Sequence, residues 1–168
     1  MESILTLDYL HSKLWFQALP SAQKELLQQS LFILEDVDLS NKTFYDYSFI
    51  IMPAAKAYEG FVKDLLLKLQ LISQAQYEGR RFRVGKALNP QLAQKAPDGH
   101  EILYDDLAQV FRSEEMAAML WQTWKLCRNR IFHYFVKDKQ HITLPDAKKR
   151  LQQIVITMEE IAKALAEV

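Results

Sequence analysis

Residues that interrupt helices are concentrated in one part of this chain. Three of the four glycines and two of the five prolines lie between residues 79 and 99. Elsewhere the apolar residues recur with helical spacing, and no run with the alternation of a β-strand stands out. Because glycine and proline are unfavourable inside helices, this distribution predicts an all-α fold with a longer irregular segment around 73–99.

The apolar spacing predicts a compact bundle of five to six helices. The third helix contains Pro53, which we expect to kink or interrupt it. The helix predicted at 113–135 is called the late helix below, because only one more helix follows it. The helices are expected at roughly 5–18, 21–35, 43–72, 101–111, 113–135 and from Pro145 onward.

Composition indicates one ordinary globular domain covering residues 1–168. The chain is long enough to bury a core of its own, and 49% of its residues are hydrophobic. Lysine and arginine together number 21, as do aspartate and glutamate. The net charge therefore gives no sign of nucleic-acid binding, and any such function has to come from local clusters of basic residues.

Compartment and membrane association can also be predicted. The single cysteine, Cys127, excludes a disulfide within the chain and fits a reducing compartment. The first residues carry acidic and basic side chains instead of the apolar run of a signal peptide. No apolar stretch approaches the length of a membrane span. We therefore expect a cytoplasmic protein without a membrane partner.

The late helix combines an apolar stripe with a face of mixed chemistry. At about 100° per residue, one arc forms a core stripe of Met116, Leu120, Thr123, Cys127, Ile131 and Tyr134. The other side carries both large aromatic and polar or cationic side chains: Trp121, Gln122, Lys125, Arg128, Asn129, Phe132 and His133. A solvated face rarely carries Trp and Phe, whereas a buried face rarely carries Arg and Lys. The mixture predicts an interface or a functional site.

A purely structural interpretation of this face stays open. A single histidine on a helix, such as His133, is more often structural or simply exposed than catalytic. Arg128 could belong to a surface ion pair, and the two aromatic residues could pack beneath the 73–99 segment.

The spacing from Arg128 to His133, with Asn129 directly after the arginine, resembles the motif of the HEPN superfamily of small helical ribonucleases. In that family the motif lies near the end of a long helix that one more helix follows, as is predicted here. The strings KAYEGFVKDLL (56–66) and RVGKAL (83–88) are similar to the HEPN domain of RNase LS-type toxins. The fold resemblance covers most of the chain, and the subfamily resemblance depends on these short strings.

The resemblance implies an endoribonuclease that needs no metal or other cofactor and acts as a homodimer. His133 would be the general base for the ribose 2′-hydroxyl, Arg128 would bind the scissile phosphate, and Asn129 would hold the geometry of the site. Such enzymes serve as toxins or antiviral-defence effectors, restrained by a partner such as an antitoxin. Imidazole and guanidinium suit these roles, since one titrates near neutral pH and the other stays charged.

The helix wheel itself suggests pairing of two copies. Residues five apart point roughly 140° away from each other, so Arg128 and His133 of one chain straddle the face. Two late helices meeting across a two-fold axis would bring these groups together. The same contact would cover Trp121 and Phe132, which we assign to the dimer interface.

Further basic residues are candidates for RNA binding. Lys125 and Arg130 flank the motif on the late helix. The string GRRFRVGKAL surrounds Phe82 with cations, an arrangement that can follow an RNA backbone and stack a base, although a solvated loop would look the same. The basic residues of this string are Arg80, Arg81, Arg83 and Lys86.

Two other functions remain open at the level of sequence. The chain could be a catalytically inactive helical module that binds a partner protein or RNA through the mixed face. It could also be a nucleotide-binding member of the same superfamily. A polar strip on the third helix, formed by Lys56, Glu59 and Lys63, could line the cleft or could be plain surface. The remaining histidines show no metal-ligand spacing.

Overall fold

The structure is a computed structural model that describes residues 5–40, 42–93, 102–133, 136 and 141–166. Every regular element within these ranges is helical, so the prediction of an all-α fold is confirmed. A π-helical turn, Lys125–Asn129, joins α9 to α10, and these three parts together form the late helix. The α-helices are α1 (Leu7–His11), α2 (Leu14–Gln17), α3 (Ser21–Leu39), α4 (Ser48–Lys68), α5 (Gln74–Glu78), α6 (Val84–Ala87), α7 (Pro90–Ala93), α8 (Tyr104–Phe111), α9 (Glu114–Trp124), α10 (Arg130–Phe132) and α11 (Leu144–Ala166).

The predicted number of helices was too low, because short helices replace two expected features. The first predicted helix is two helices, and α1 ends where the Ser12 N–H bonds back to the Asp8 and Leu10 carbonyls. The segment around 73–99, expected to be irregular, contains α5, α6 and α7 in its described part. A reciprocal capping box between Ser73 and Gln76 starts α5, and such caps stabilise helices too short to be visible in apolar periodicity.

The core is built around α4, which α3 and α11 both contact. The helix continues through Pro53 without a break. The N–H of the next residue, Ala54, donates to the buried hydroxyl of Ser30 on α3 at 2.9 Å. This bond ties α3 to α4 beside the proline. The residues that α4 buries are Ile50, Ile51, Ala54, Ala55, Ala57, Tyr58, Phe61, Val62, Leu65 and Leu66.

Two buried hydrogen bonds fix the late helix between α4 and α11. The hydroxyl of Tyr58, on α4, donates to the Leu120 carbonyl at 2.9 Å. On the other side, the hydroxyls of Thr123 and Thr157 are 2.8 Å apart, with Thr157 on α11. Because buried polar groups are costly without partners, these bonds fix both the register and the rotation of the late helix.

The core stripe predicted for the late helix is confirmed where the structure describes it. Leu120, Thr123 and Cys127 are fully buried, and Met116 and Ile131 pack against the core from its edge. The last residue of the stripe, Tyr134, lies outside the described residues.

The thiol of Cys127 behaves as a core group. Burial raises the pKa of this thiol to about 12, although the nearby Arg150 acts in the opposite direction. The thiol is therefore protonated at neutral pH, which agrees with its interpretation as a small apolar residue. Within the described ranges, no helix is long and apolar enough to cross a membrane.

Candidate functional site

The late helix changes its winding at the motif. The Arg130 N–H donates to the carbonyl of Lys125, five residues earlier. In an α-helix it would donate to the carbonyl four residues earlier. This π turn holds one more residue than an α turn, and π turns are often found at functional sites. Residues beyond the turn are consequently rotated relative to a continuous α-helix.

Arg128 lies in this turn and is held from several directions. Its Nε and Nη2 atoms donate to the same carboxylate oxygen, Oε2 of Glu59, at 3.2 and 3.1 Å. The guanidinium carbon also lies 4.9 Å from the ring centre of Trp124 and 5.0 Å from that of Phe132. Cations at such distances from aromatic rings are attracted by the ring electrons. The side chain is 27% exposed, so it is both oriented and reachable from solvent.

An open cavity of about 510 Å³ lies beside this arginine, where α3, α4 and the late helix meet. We call it the Arg128 cavity. Its volume is within the range of small-molecule sites. One part of its wall is charged and another part is apolar. The lining residues are Leu26, Gln29, Met52, Pro53, Lys56, Glu59, Arg128 and Phe132.

His133 occupies a different position from the expected one. The predicted late helix ran to residue 135, but α10 ends at Phe132, and His133 has extended backbone angles, φ −118° and ψ 134°. Its side chain is exposed. The chain therefore leaves the helix at the histidine.

The three residues assigned to catalysis are close in sequence but have different surroundings. Arg128 lines the cavity, Asn129 is half-buried within the π turn, and His133 is exposed just after the helix. The structure thus brings the arginine to the cavity wall. The histidine is exposed beyond the end of α10.

The arginine-rich segment, residues 79–88, lies next to Trp124, whose ring also contacts Arg128. Gly85, at the start of α6, packs against Trp124 so closely that an added Cβ would lie 3.0 Å from Cε2 and closer still to Nε1. The same indole carries Arg128 on its ring. Phe82 is half-buried, whereas the basic residues predicted to bind RNA are exposed: Arg80, Arg81, Arg83 and Lys86.

The remaining predicted residues of the mixed face differ in exposure. Lys125 is half-buried and Arg130 is exposed. Trp121 is half-buried against the core, whereas Phe132 is 41% exposed. Of the two residues assigned to a dimer interface, Phe132 thus offers the larger uncovered apolar surface.

Sequence reasoning did not identify Trp124 as part of this site, and it left open whether Glu59 lines the cleft. Trp124 is 5% exposed and supports Arg128, although the core stripe of the helix wheel omitted it. Glu59 was one member of a polar strip on the third helix, and its pairing with Arg128 depends on how α4 packs against the late helix. Of that strip, Lys56 and Glu59 line the cavity, while the Lys63 amine donates to the Tyr77 carbonyl at 3.3 Å.

Among the described residues, no group of three or more His, Cys, Asp or Glu side chains is arranged to hold a metal ion. No protein-family model, curated protein or solved structure matches the chain at a significant level. Membership of the HEPN superfamily therefore stays a prediction, which depends on the motif from Arg128 to His133 and on two short strings.

Proposed function

We propose that this chain is a metal-independent endoribonuclease of the HEPN type that acts as a homodimer. One observation carries the proposal: Arg128 is held by Glu59, Trp124 and Phe132 at the wall of an open cavity. A guanidinium oriented in this way can bind a phosphate through two parallel hydrogen bonds. Fixing the donor before the substrate arrives lowers the cost of organising the transition state.

The chemistry is a transfer of the phosphoryl group to the neighbouring ribose hydroxyl. The imidazole of His133 takes the proton from the 2′-hydroxyl, and the 2′-oxygen attacks the phosphorus. The bond from phosphorus to the 5′-oxygen breaks, and the imidazolium returns its proton to that leaving oxygen. Arg128 stabilises the charge on the phosphoryl oxygens. The products are a 2′,3′-cyclic phosphate and a free 5′-hydroxyl.

In the proposed dimer, each site takes its arginine from one chain and its histidine from the other. Arg128 lines the cavity, while His133 lies beyond the end of α10 in an exposed, extended segment. A second copy docked along the late helix would bring a histidine to an arginine across the two-fold axis. The same contact would cover the part of Phe132 that faces away from the cavity; this residue is 41% exposed. We further propose action on cytoplasmic RNA as a toxin or antiviral-defence effector restrained by a partner protein.

The proposal is tested by incubating purified protein with total RNA in the presence of a chelator. Wild type should cut the RNA and leave cyclic phosphate ends. His133→Ala should cut about 10²- to 10⁴-fold more slowly, as expected for loss of a proton-transfer group. His11→Ala, which removes an exposed histidine elsewhere, should cut like wild type. An inert wild type, or a His133→Ala protein as active as wild type, would refute the proposal.

A second candidate function is a catalytically inactive module that binds a partner through the same face. Its support is that Arg128 is already ion-paired within the chain, beside the exposed ring of Phe132. This alternative predicts that Phe132→Ala weakens an assembly while His133→Ala changes nothing. Growth during expression separates the two functions, since a ribonuclease slows growth and His133→Ala relieves that effect.

A further inference from the structure

Part of the Arg128 cavity would have no contact with a phosphate bound by Arg128. Leu26, Met52, Pro53 and Phe132 are the apolar residues of its lining, which we call the apolar wall. Met52 and Phe132 come from different helices, and each is 41% exposed. Large apolar side chains held open at one cavity, next to charged groups, mark a site for a ligand with both apolar and charged parts.

The polar groups of the cavity can recognise such a ligand. Gln29, exposed on α3, carries an amide that can both donate and accept hydrogen bonds. Lys56 and Arg128 provide two cations against the single carboxylate of Glu59. Within the described part of the chain, only Oε2 of that carboxylate takes hydrogen bonds from Arg128. Its Oε1 can therefore accept one from a sugar hydroxyl.

We propose that the Arg128 cavity binds one unpaired nucleotide. The base lies against Met52 and Phe132, its edge faces Gln29, and its phosphate lies between Arg128 and Lys56. This inference builds on the proposed ribonuclease function, since the nucleotide would be the one beside the bond that is cut. A base in a duplex has its faces stacked and its pairing edge occupied, so the substrate class is single-stranded RNA.

The class of ligand is inferred from the cationic, amide and apolar groups together and not from the apolar wall alone. A fatty acid would use the cations and the apolar wall but would leave the Gln29 amide without a partner. Inorganic phosphate would leave the apolar wall uncovered. A nucleotide matches the cationic, amide and apolar groups together, and the cavity of about 510 Å³ is large enough for a small ligand.

The test is a calorimetric titration of the whole protein with AMP, UMP, ribose 5-phosphate and inorganic phosphate. Stacking of a base contributes a factor of about 5 to 150 in affinity. The nucleotides should therefore bind more tightly than ribose 5-phosphate by that factor. Met52→Ala should lose most of the gain and leave the affinity for ribose 5-phosphate unchanged. Ile156→Ala, which truncates an apolar residue that is 45% exposed on α11, should bind like wild type.

Failure of this inference is distinguishable from failure of the proposed function. Nucleotides that bind no better than ribose 5-phosphate, or equally well to Met52→Ala, would overturn the nucleotide site even if wild type cuts RNA. A base-dependent affinity in a wild type that leaves RNA intact would support the site and refute the ribonuclease. For an active enzyme, a stem–loop RNA should be cut in its loop, and cutting within the stem would also overturn the inference.

Discussion

The guanidinium of Arg128 touches one carboxylate oxygen and two aromatic rings, and a lysine reproduces only part of these contacts. Arg128→Lys keeps the charge but loses the planar donors that reach Glu59 and can bind a phosphate. We expect RNA cleavage to fall at least tenfold. Stability should change little, because a partly exposed ion pair contributes about 1 kcal/mol or less. Cleavage rates and thermal unfolding check both expectations.

The matched control for this variant is Arg130→Lys. Arg130 is exposed and lies on the same helix, so its replacement should change cleavage far less. Equal losses in the two variants would mean that the planar guanidinium of Arg128 has no special part in cleavage.

Close packing of Gly85 on Trp124 gives a second expectation at the scale of single residues. Gly85→Ala would place a methyl group against the buried indole, and overpacking of this kind costs about 1–3 kcal/mol. Because Arg128 lies on the same ring, its Nε–Hε signal in an NMR spectrum should shift as well.

The double variant Gly85→Ala with Trp124→Phe tests that interpretation. The smaller ring lacks the Nε1 atom nearest the new methyl group, so Gly85→Ala should cost less stability in the Trp124→Phe background than in wild type. If the cost is the same in both backgrounds, the contact between Gly85 and Trp124 is not the cause of the loss.

At the scale of elements, Glu159 fastens the N-terminal helices to α11. This buried carboxylate accepts from the Tyr9 hydroxyl at 2.6 Å and from the Lys13 amine at 3.0 Å. Burial alone would raise its pKa, but hydrogen bonds from Tyr9, Lys13 and Lys163 outweigh burial and lower the pKa of Glu159 to about 2. The ordinary value of this pKa is 4.5.

A depressed carboxyl pKa stabilises the folded state above the unfolded-state value and loses that effect as pH falls. Stability should therefore decrease from about pH 4.5 towards pH 2. The contribution lost is on the order of 3 kcal/mol. Urea unfolding at a series of pH values measures it, and Glu159→Gln should show a flatter dependence in this range. An equally steep dependence in the variant would assign the acid sensitivity to other groups.

The predictability of this fold from sequence also differs by element. The long helices were predicted because their apolar residues repeat over many turns, as in α4 and α11. The short helices α5 to α7 were not, since four or five residues are too few to show periodicity. The π turn was also missed, because its single extra residue leaves no mark in composition.

The candidate site was predicted only in part for the same physical reason. Arg128 and Phe132 could be selected from the mixed chemistry of one helix. The partners Glu59, Met52 and Gln29 come from α3 and α4, so they become neighbours only through tertiary packing. Spacing within one helix contains no information about that packing.

At the scale of the whole molecule, the proposed homodimer makes a quantitative prediction. If each site takes Arg128 from one chain and His133 from the other, mixing inactive Arg128→Ala and His133→Ala proteins creates some intact sites. After random exchange of subunits, about one quarter of the wild-type activity should return. Sedimentation of the mixture confirms that dimers are present, and mixed dimers without activity would show that each site is built within one chain.

The π turn also affects how relatives of this chain would be recognised. A related helix that lacks the extra residue of the π turn would present different side chains to the cavity, even if the flanking sequence were identical. An alignment that places the one-residue gap outside 125–129 would match functional positions with unrelated ones. A comparison of the spacing between arginine and histidine should therefore include the winding of the helix.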